Sequence, residues 1–229
     1  MAVTVTWLGH ACFLVESEGK RLVVDPFLEG NDKAPVKPDD VEADFILLTH
    51  GHFDHVSDCA KIAKRTGATV ISNFEVSQWI AKQGVAQDKV VGMNPGGAMQ
   101  QPFGRVKLTI AHHSSSMPDG SYGGVACGIV LTLSRKRIYF AGDTALFLDM
   151  KLIGAEGLDL AVLPIGDRFT MGPEDSIEAI KLLNPQHVAP CHYNTWPEIA
   201  QDGAVWAAEV KRQTGAAPHV VEPGGAFEV

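Results

Sequence analysis

Residues 47 to 58 read LLTHGHFDHVSD and place His50, His52, Asp54 and His55 within six positions, directly after an apolar run. Neutral imidazole and carboxylate are the usual nitrogen and oxygen ligands of zinc and similar divalent ions. His50 and His52 are two apart, so at a strand end they can point the same way. Asp54 and His55 fall past the turn and can face a second point in space. The pattern H-x-H-x-D-H can therefore serve two metal ions rather than one. The chain has nine histidines in all, and three of them within six residues is a poor match to chance in a polar loop.

The elements around this segment must bring it to an edge. VTVTWL alternates, ACFLVE is apolar, SEGK is a turn and RLVVDP is a second strand ended by Pro26. Residues 29 to 43 are polar and proline-containing and read as a loop, after which DFILL forms a buried strand running into the histidines. A helix is expected to start at Ser57 and run through Arg65, with Gly67 as its stop. ATVIS is a short strand, and FEVSQWIAKQG has helical spacing. RVKLTIA leads as a strand into HHSSS, MPDGSYGG is a loop, and VACGIVLTL and RIYFAGD form a hairpin joined by SRK. A helix near 146 to 153 precedes the strand LDLAVLPIG. GPEDSIEAIKLL is a helix with Pro173 at its first position and Asn184-Pro185 at its end. HVAPCH is a strand, GAVWAAEVKRQTG the last helix and PHVVEP a last strand. ACFLVESEGKRLVVDP and ACGIVLTLSRKRIYFAGD align as apolar strand, charged turn, apolar strand and aspartate, an internal repeat spanning roughly each half. Two facing sheets with helices outside satisfy it.

Composition narrows the class. The chain has 229 residues, 45% hydrophobic and 20% charged, which fits one globular domain over 1–229 with a core of its own. A net charge of −8 disfavours a nucleic-acid backbone as partner and leaves room for a small-molecule substrate. Cys12, Cys59, Cys127 and Cys191 are scattered and form no C-x-x-C pair, so reduced, cytoplasmic cysteines are expected. No basic and apolar leader is visible, and no apolar run reaches the length of a membrane span. A homo-oligomer is compatible with all of this, although no motif encodes one.

THGHFDH resembles the H-x-H-x-D-H signature of the metallo-β-lactamase superfamily. The resemblance implies an α/β (α+β) fold, a four-layer αββα sandwich with two pseudo-repeated halves and a metal site on one edge of the sheets. It also implies further ligands in a fixed order, a third histidine, an aspartate and a final histidine, for which the chain offers AHHSSS, FAGDTALF and APCHYNTWP. More narrowly, WLGHACFLV, DPFL, HHSSS, GDT, TMGPEDS and PCHYNTWP resemble small metal-dependent hydrolases related to the ascorbate-6-phosphate lactonase branch. The carried-over ligands are His50, His52 and His113 for one ion, Asp54, His55 and His192 for the other, and Asp143 between both. The A-x-H-S-S pattern selects His113 over His112, which is expected to face the other side of its strand.

That set implies a metal-dependent hydrolase. Two ions about 3.5–4 Å apart can hold a hydroxide between them, with the pKa of water brought to roughly 7. Asp54 is the expected proton acceptor. The expected cofactor is a pair of divalent ions, zinc foremost, with Mn, Fe or Ni also accepted by such ligands. The expected substrate is a small ester, lactone or phosphoester. The alternatives are a phosphodiesterase acting on nucleic acid or lipid headgroups, and a metal-binding protein without turnover. His10, Asp25, Ser114, Thr144, Tyr193 and Asn194 are expected to line the substrate side or to support the ligands, Asp25 by orienting a ligand histidine. Residues 170 to 173 open a helix and are equally compatible with an anion contact and with a plain entry turn. His187 and His219 are expected at the surface or in the core, away from the ligands.

Overall fold

A computed structural model describes residues 2–229. The first half contains β1 (Thr4–Trp7), β2 (Phe13–Ser17), β3 (Lys20–Val24), β4 (Phe45–Leu47), α1 (Phe53–Val56), α2 (Cys59–Thr66), β5 (Thr69–Asn73), α3 (Phe74–Lys82) and β6 (Val90–Met93). The second contains β7 (Ala98–Gln101), β8 (Gly104–Ile110), β9 (Cys127–Leu133), β10 (Lys136–Phe140), α4 (Met150–Gly154), β11 (Leu160–Pro164), α5 (Pro173–Leu183), β12 (His187–Cys191), α6 (Gly203–Gln213), β13 (Ala217–Pro218) and β14 (Ala226–Glu228).

The strands form two seven-stranded sheets, ordered β14-β1-β2-β3-β4-β5-β6 and β13-β12-β11-β10-β9-β8-β7. Alternation along the first-half strands sorts their side chains into two layers. Leu22 and Val24, Phe45 and Leu47, and Ile71 enter the core shared with the second sheet, where they join Leu108, Ile129, Leu131 and Ile138. Val23, Ile46 and Leu48, and Val70 turn outward onto Ile62, Val76 and Ile80 of α2 and α3. The second sheet is covered by α5 on β11 and α6 on β13. This is the expected αββα sandwich. Fully burying a side chain such as Leu or Ile stabilises by roughly 1.5–3 kcal/mol, so this double-sided burial dominates what holds the strand ends in place.

The repeat extends further than the hairpin that revealed it. In the first half β1, β2 and β3 pair antiparallel, and β3, β4, β5 and β6 pair parallel. In the second half β8, β9 and β10 pair antiparallel, and β10, β11, β12 and β13 pair parallel. Strand for strand, β1–β6 match β8–β13. Each half closes with an antiparallel edge strand, β14 on β1 and β7 on β8.

Several boundaries differ from the sequence expectation. The helix expected from Ser57 is two helices, and Ser57 ends the first, its backbone N–H bonding to Phe53 O. Gly67 ends the second in left-handed backbone, as expected. The helix expected at 146 to 153 is confined to Met150–Gly154. PHVVEP is not one strand: β13 ends at Pro218, and the chain then crosses to the other sheet as β14. No helix among the described residues is long and apolar enough to cross a membrane.

Candidate metal centre

The ligand-type side chains leave one edge of the sandwich, each just past the C-terminal end of a strand. His50 follows β4, His113 follows β8, Asp143 follows β10 and His192 follows β12. Their position is enforced by tight backbone packing. Gly51, between His50 and His52, lies so close to the neighbouring loop that a Cβ there would stand 2.5 Å from Met117 Sδ and 3.1 Å from Ser116 O. Its N–H donates to Ser115 Oγ (3.1 Å).

Three overlapping groups of ligand atoms result: His50, His52 and His113; His50, His55 and Asp143; and His10, Asp54, His55 and His192. Five of the seven carried-over residues are buried, and His52 and His113 are half-buried. Asp143 joins the groups, with Oδ2 3.5 Å from His113 Nε2 and 3.1 Å from His192 Nε2, and Oδ1 3.4 Å from His55 Nε2.

Hydrogen bonds set which ring nitrogen each histidine offers. Asp25 is fully buried and accepts from His55 Nδ1 (2.8 Å) and from the Thr49 hydroxyl (2.6 Å). With its proton committed to Asp25, that hydroxyl accepts from His50 Nδ1 (3.0 Å). His50 and His55 are thus both oriented with Nε2 turned toward the cluster. His10 lies under this arrangement. Its Nε2–H donates to Asp54 Oδ2 (3.0 Å), and its Nδ1 accepts from the Thr195 hydroxyl (2.8 Å).

Charge is arranged to match. Burial, opposed in part by the bond to Asp54, pushes His10 down to about 4, so it is neutral at pH 7. Burial likewise holds His50 well below the ordinary histidine value. His192 goes the other way: burial alone would lower it, but Asp143 outweighs burial and raises it to about 9. His55 is also raised well above the ordinary value, by Asp143, Asp25 and Asp54 against burial. Asp54 and Asp143 are both held below the carboxylate range, because nearby imidazoles overcome burial.

The atoms left without partners are the ones a cation would take. Among buried side-chain atoms lacking a hydrogen bond are His55 Nε2, His192 Nε2 and Asp143 Oδ1. Buried polar atoms are rarely left so, and nitrogen and oxygen atoms converging in this way fit a divalent ion.

A cavity of about 710 Å³ opens onto the cluster, lined by His52, Asp54, His113, Ser114, Asp143 and His192, and toward solvent by Phe53, Arg168, Phe169, Trp196 and Glu198. Phe53, Phe27 and Trp196 form one aromatic wall, with ring centroids 5.7 to 6.1 Å apart.

The supporting residues named from sequence divide. Asp25 lies 2.8 Å from His55 Nδ1 and outside the cavity lining. Ser114 lines the cavity, its Oγ 3.4 Å from His52 Nε2. Thr144 is buried and accepts from the backbone N–H of His112 (3.0 Å), bracing the loop rather than lining the cavity. Tyr193 and Asn194 do not reach it. Tyr193 stacks on Trp7 at 5.3 Å, and Asn194 Oδ1 accepts from Gln201 N (2.8 Å), so both line a separate surface depression. The reason is local: His192 takes left-handed backbone, with φ of 54°, and the alternation of the strand stops there. His112 turns away to Phe147. Residues 170 to 173 form a helix entry turn, while Arg168 and Phe169 just before them reach the cavity. His187 and His219 pair with each other at 2.9 Å. Thr49, Thr195, Phe53, Arg168, Phe169 and Trp196 were not picked out from sequence. Thr49, adjoining His50 at the end of an apolar run, is the one with a readable signal.

Known proteins resemble this chain along its whole length. Residues 20–193 match the family described as the β-lactamase superfamily domain. A UPF0173 metal-dependent hydrolase from Thermus thermophilus is 50% identical over 222 residues, covering 97% of each chain. The structure of Igni18, a metallo hydrolase from the hyperthermophilic archaeon Ignicoccus hospitalis, superposes with a TM-score of 0.90 at 33% identity, over 100% of this chain and 99% of that one. The metallo-β-lactamase fold protein YhfI from Bacillus subtilis shares the fold, with a TM-score of 0.75 at 15% identity over 100% of both chains.

Proposed function

The chain belongs to the β-lactamase superfamily as a UPF0173 metal-dependent hydrolase, and from that premise we propose that it uses two divalent ions to cleave a small ester, lactone or phosphoester. His50, His52 and His113 would hold one ion, Asp54, His55 and His192 the other, and Asp143 would touch both. The observation that carries this reading is the placement of Asp143, whose two oxygens reach imidazoles of both groups at 3.1 to 3.5 Å. Zinc is the first expectation for such ligands, with manganese, iron and nickel also suited.

Bound ions would supply Lewis acidity at the reacting oxygen and bring the pKa of water to roughly 7. The chain's own residues do the rest. Asp25 and Thr49 orient His50 and His55 so that Nε2 faces the cluster. Asp54, held ionised, accepts the proton given up by the attacking water, and the hydrogen bond from His10 fixes which way its carboxylate faces. Phe53 and Trp196 give the cavity an apolar side against which an apolar part of a substrate can pack.

The test is a metal count with an activity screen. Asp143→Ala is expected to lower bound metal from two ions per chain and to abolish turnover. Unchanged stoichiometry with unchanged activity would overturn the reading. Screening lactones, carboxylic esters, thioesters and phosphodiesters identifies the bond. Turnover confined to phosphodiesters would move the assignment to a phosphodiesterase.

A further inference from the structure

In the matched halves, the loop after β11 occupies the place that the H-x-H-x-D-H loop occupies after β4. It carries no metal ligand. It carries Arg168 and Phe169 instead, and these two line the cavity above the cluster. Among the described residues, Arg168 is the only arginine or lysine lining that cavity, and none of their ion pairs includes it. Its guanidinium lies 5.4 Å from the centre of the Phe169 ring, so the head group of this exposed side chain is set over an aromatic face at the cavity mouth.

The loop is held in this shape at a conformational cost. Asp167 and Arg168 have φ of 63° and 28°, left-handed backbone that residues with a Cβ rarely adopt. Such strain persists where surroundings over-determine it, and it concentrates at binding sites. Here the surroundings are the metal loops themselves. Gly166 packs so closely on His192 that a Cβ would stand 2.2 Å from its carbonyl oxygen. Asp167 N donates to Met171 O (3.0 Å), and Met171 N donates to the carbonyl of Thr144, next to Asp143 (2.9 Å). The backbone that carries Arg168 is thereby fixed relative to two of the proposed ligands.

We infer that Arg168 is the substrate-reading residue of this site, taking an oxyanion, carboxylate or phosphate, carried on the end of the substrate remote from the bond that is cut. A flat apolar portion lies between, against Phe169 and Trp196. A planar guanidinium held on a ring face matches a two-oxygen anion in geometry as well as charge. Glu198, the other charged side chain at the mouth, disfavours a second negative charge on its side. The inference rests on the hydrolase reading above and specifies its substrate class.

The experiment uses the metal-loaded full chain, with Arg168→Gln and Arg168→Lys beside it. In the kinetic arm, mono-4-nitrophenyl adipate and its phosphonate analogue are compared with the terminal amide of the same ester. In the binding arm, phenylacetate and phenylphosphonate are compared with phenylacetamide by quenching of tryptophan fluorescence, since Trp196 lines the cavity. The anionic member is expected to be preferred roughly tenfold by the unmodified protein, mainly through KM. Arg168→Gln should bring the ratio near one, and Arg168→Lys should keep part of it. The carboxylate and phosphonate arms separate the two anions. A ratio unchanged by Arg168→Gln in both arms overturns the inference, because anion binding at the metal ions themselves would survive that substitution. No turnover of any ester, with an Arg168-dependent preference still seen in binding, would instead count against the hydrolase reading and leave the anion site standing.

Discussion

The Thr49 hydroxyl donates to Asp25 Oδ2 at 2.6 Å, and through it one buried carboxylate orients two histidines. His55 is held directly at 2.8 Å, and His50 through the threonine at 3.0 Å. These histidines belong to different proposed ion sites, so a single aspartate outside the ligand set governs both.

Thr49→Val should separate the two. It removes the acceptor for His50 Nδ1 and leaves the Asp25–His55 bond in place. We expect the affinity of the His50, His52 and His113 site to fall about 10–100-fold, as losses of such supporting groups typically do. Thr49→Ser should restore most of it. Titration against a chelator of known affinity reads the two sites apart, and equal weakening at both would contradict the asymmetry.

Asp25→Asn should weaken both sites together. Asp25 has φ of 46°, a region that asparagine tolerates well, so the backbone survives the change. The amide loses one accepting oxygen and its negative charge, and His55 and Thr49 must compete for what is left. Metal content per chain after dialysis is the measurement, and the expected result is a deficit larger than that of Thr49→Val.

Metal binding should release protons. In the metal-free protein at pH 7, His55 and His192 are both cationic, His192 with a value of about 9. Ligation requires the neutral ring, so loading both sites displaces a proton from each of these two histidines. Affinity at the site that includes His192 should rise with pH until about 9. The ion pair with Asp143 that raises His192 stabilises the metal-free fold fully below the ordinary histidine value of 6.5. That contribution is lost as pH climbs through about 9. Calorimetry in buffers of different ionisation enthalpy counts the protons, and thermal melts of the metal-free chain follow the second effect.

Gly51→Ala should damage the site more than the fold. The added methyl meets a flexible methionine sulfur and, less yieldingly, the backbone of Ser116 at 3.1 Å. Overpacking of this kind costs about 1–3 kcal/mol, modest against total stability, but relief by shifting the strand end moves His50 and His52 directly. Reduced metal occupancy in a chain that still melts cooperatively is the expected result.

The parts of this molecule legible in its sequence are those encoded locally. His50, His52, Asp54 and His55 share one turn, and the repeated hairpins carry their own apolar alternation. Pro173 and Asn184 mark the ends of α5 where the sequence places them. The fold class follows from these together with the family resemblance. What was hidden depends on distance or on broken periodicity. Thr195 reaches His10 from 185 residues away, and no local pattern records that contact. Tyr193 was placed on the wrong side because the two-residue period ends one residue earlier, at His192. The edge strands β6 and β7 have no fully buried residue, so their sequences lack the apolar signal that marks the inner strands. Arg168 gives no sign of its position, since a backbone with positive φ at an arginine is imposed by its neighbours.

The twofold plan of the strands also bears on how such a protein can change over time. One copy of the β4-type turn carries four of the proposed metal ligands, His50, His52, Asp54 and His55. The other copy, after β11, hangs from the same scaffold with no ion to serve. On the reading proposed above, mutations there can redirect recognition without touching the proposed metal ligands, which is the circumstance under which one ancestral hydrolase can give rise to many.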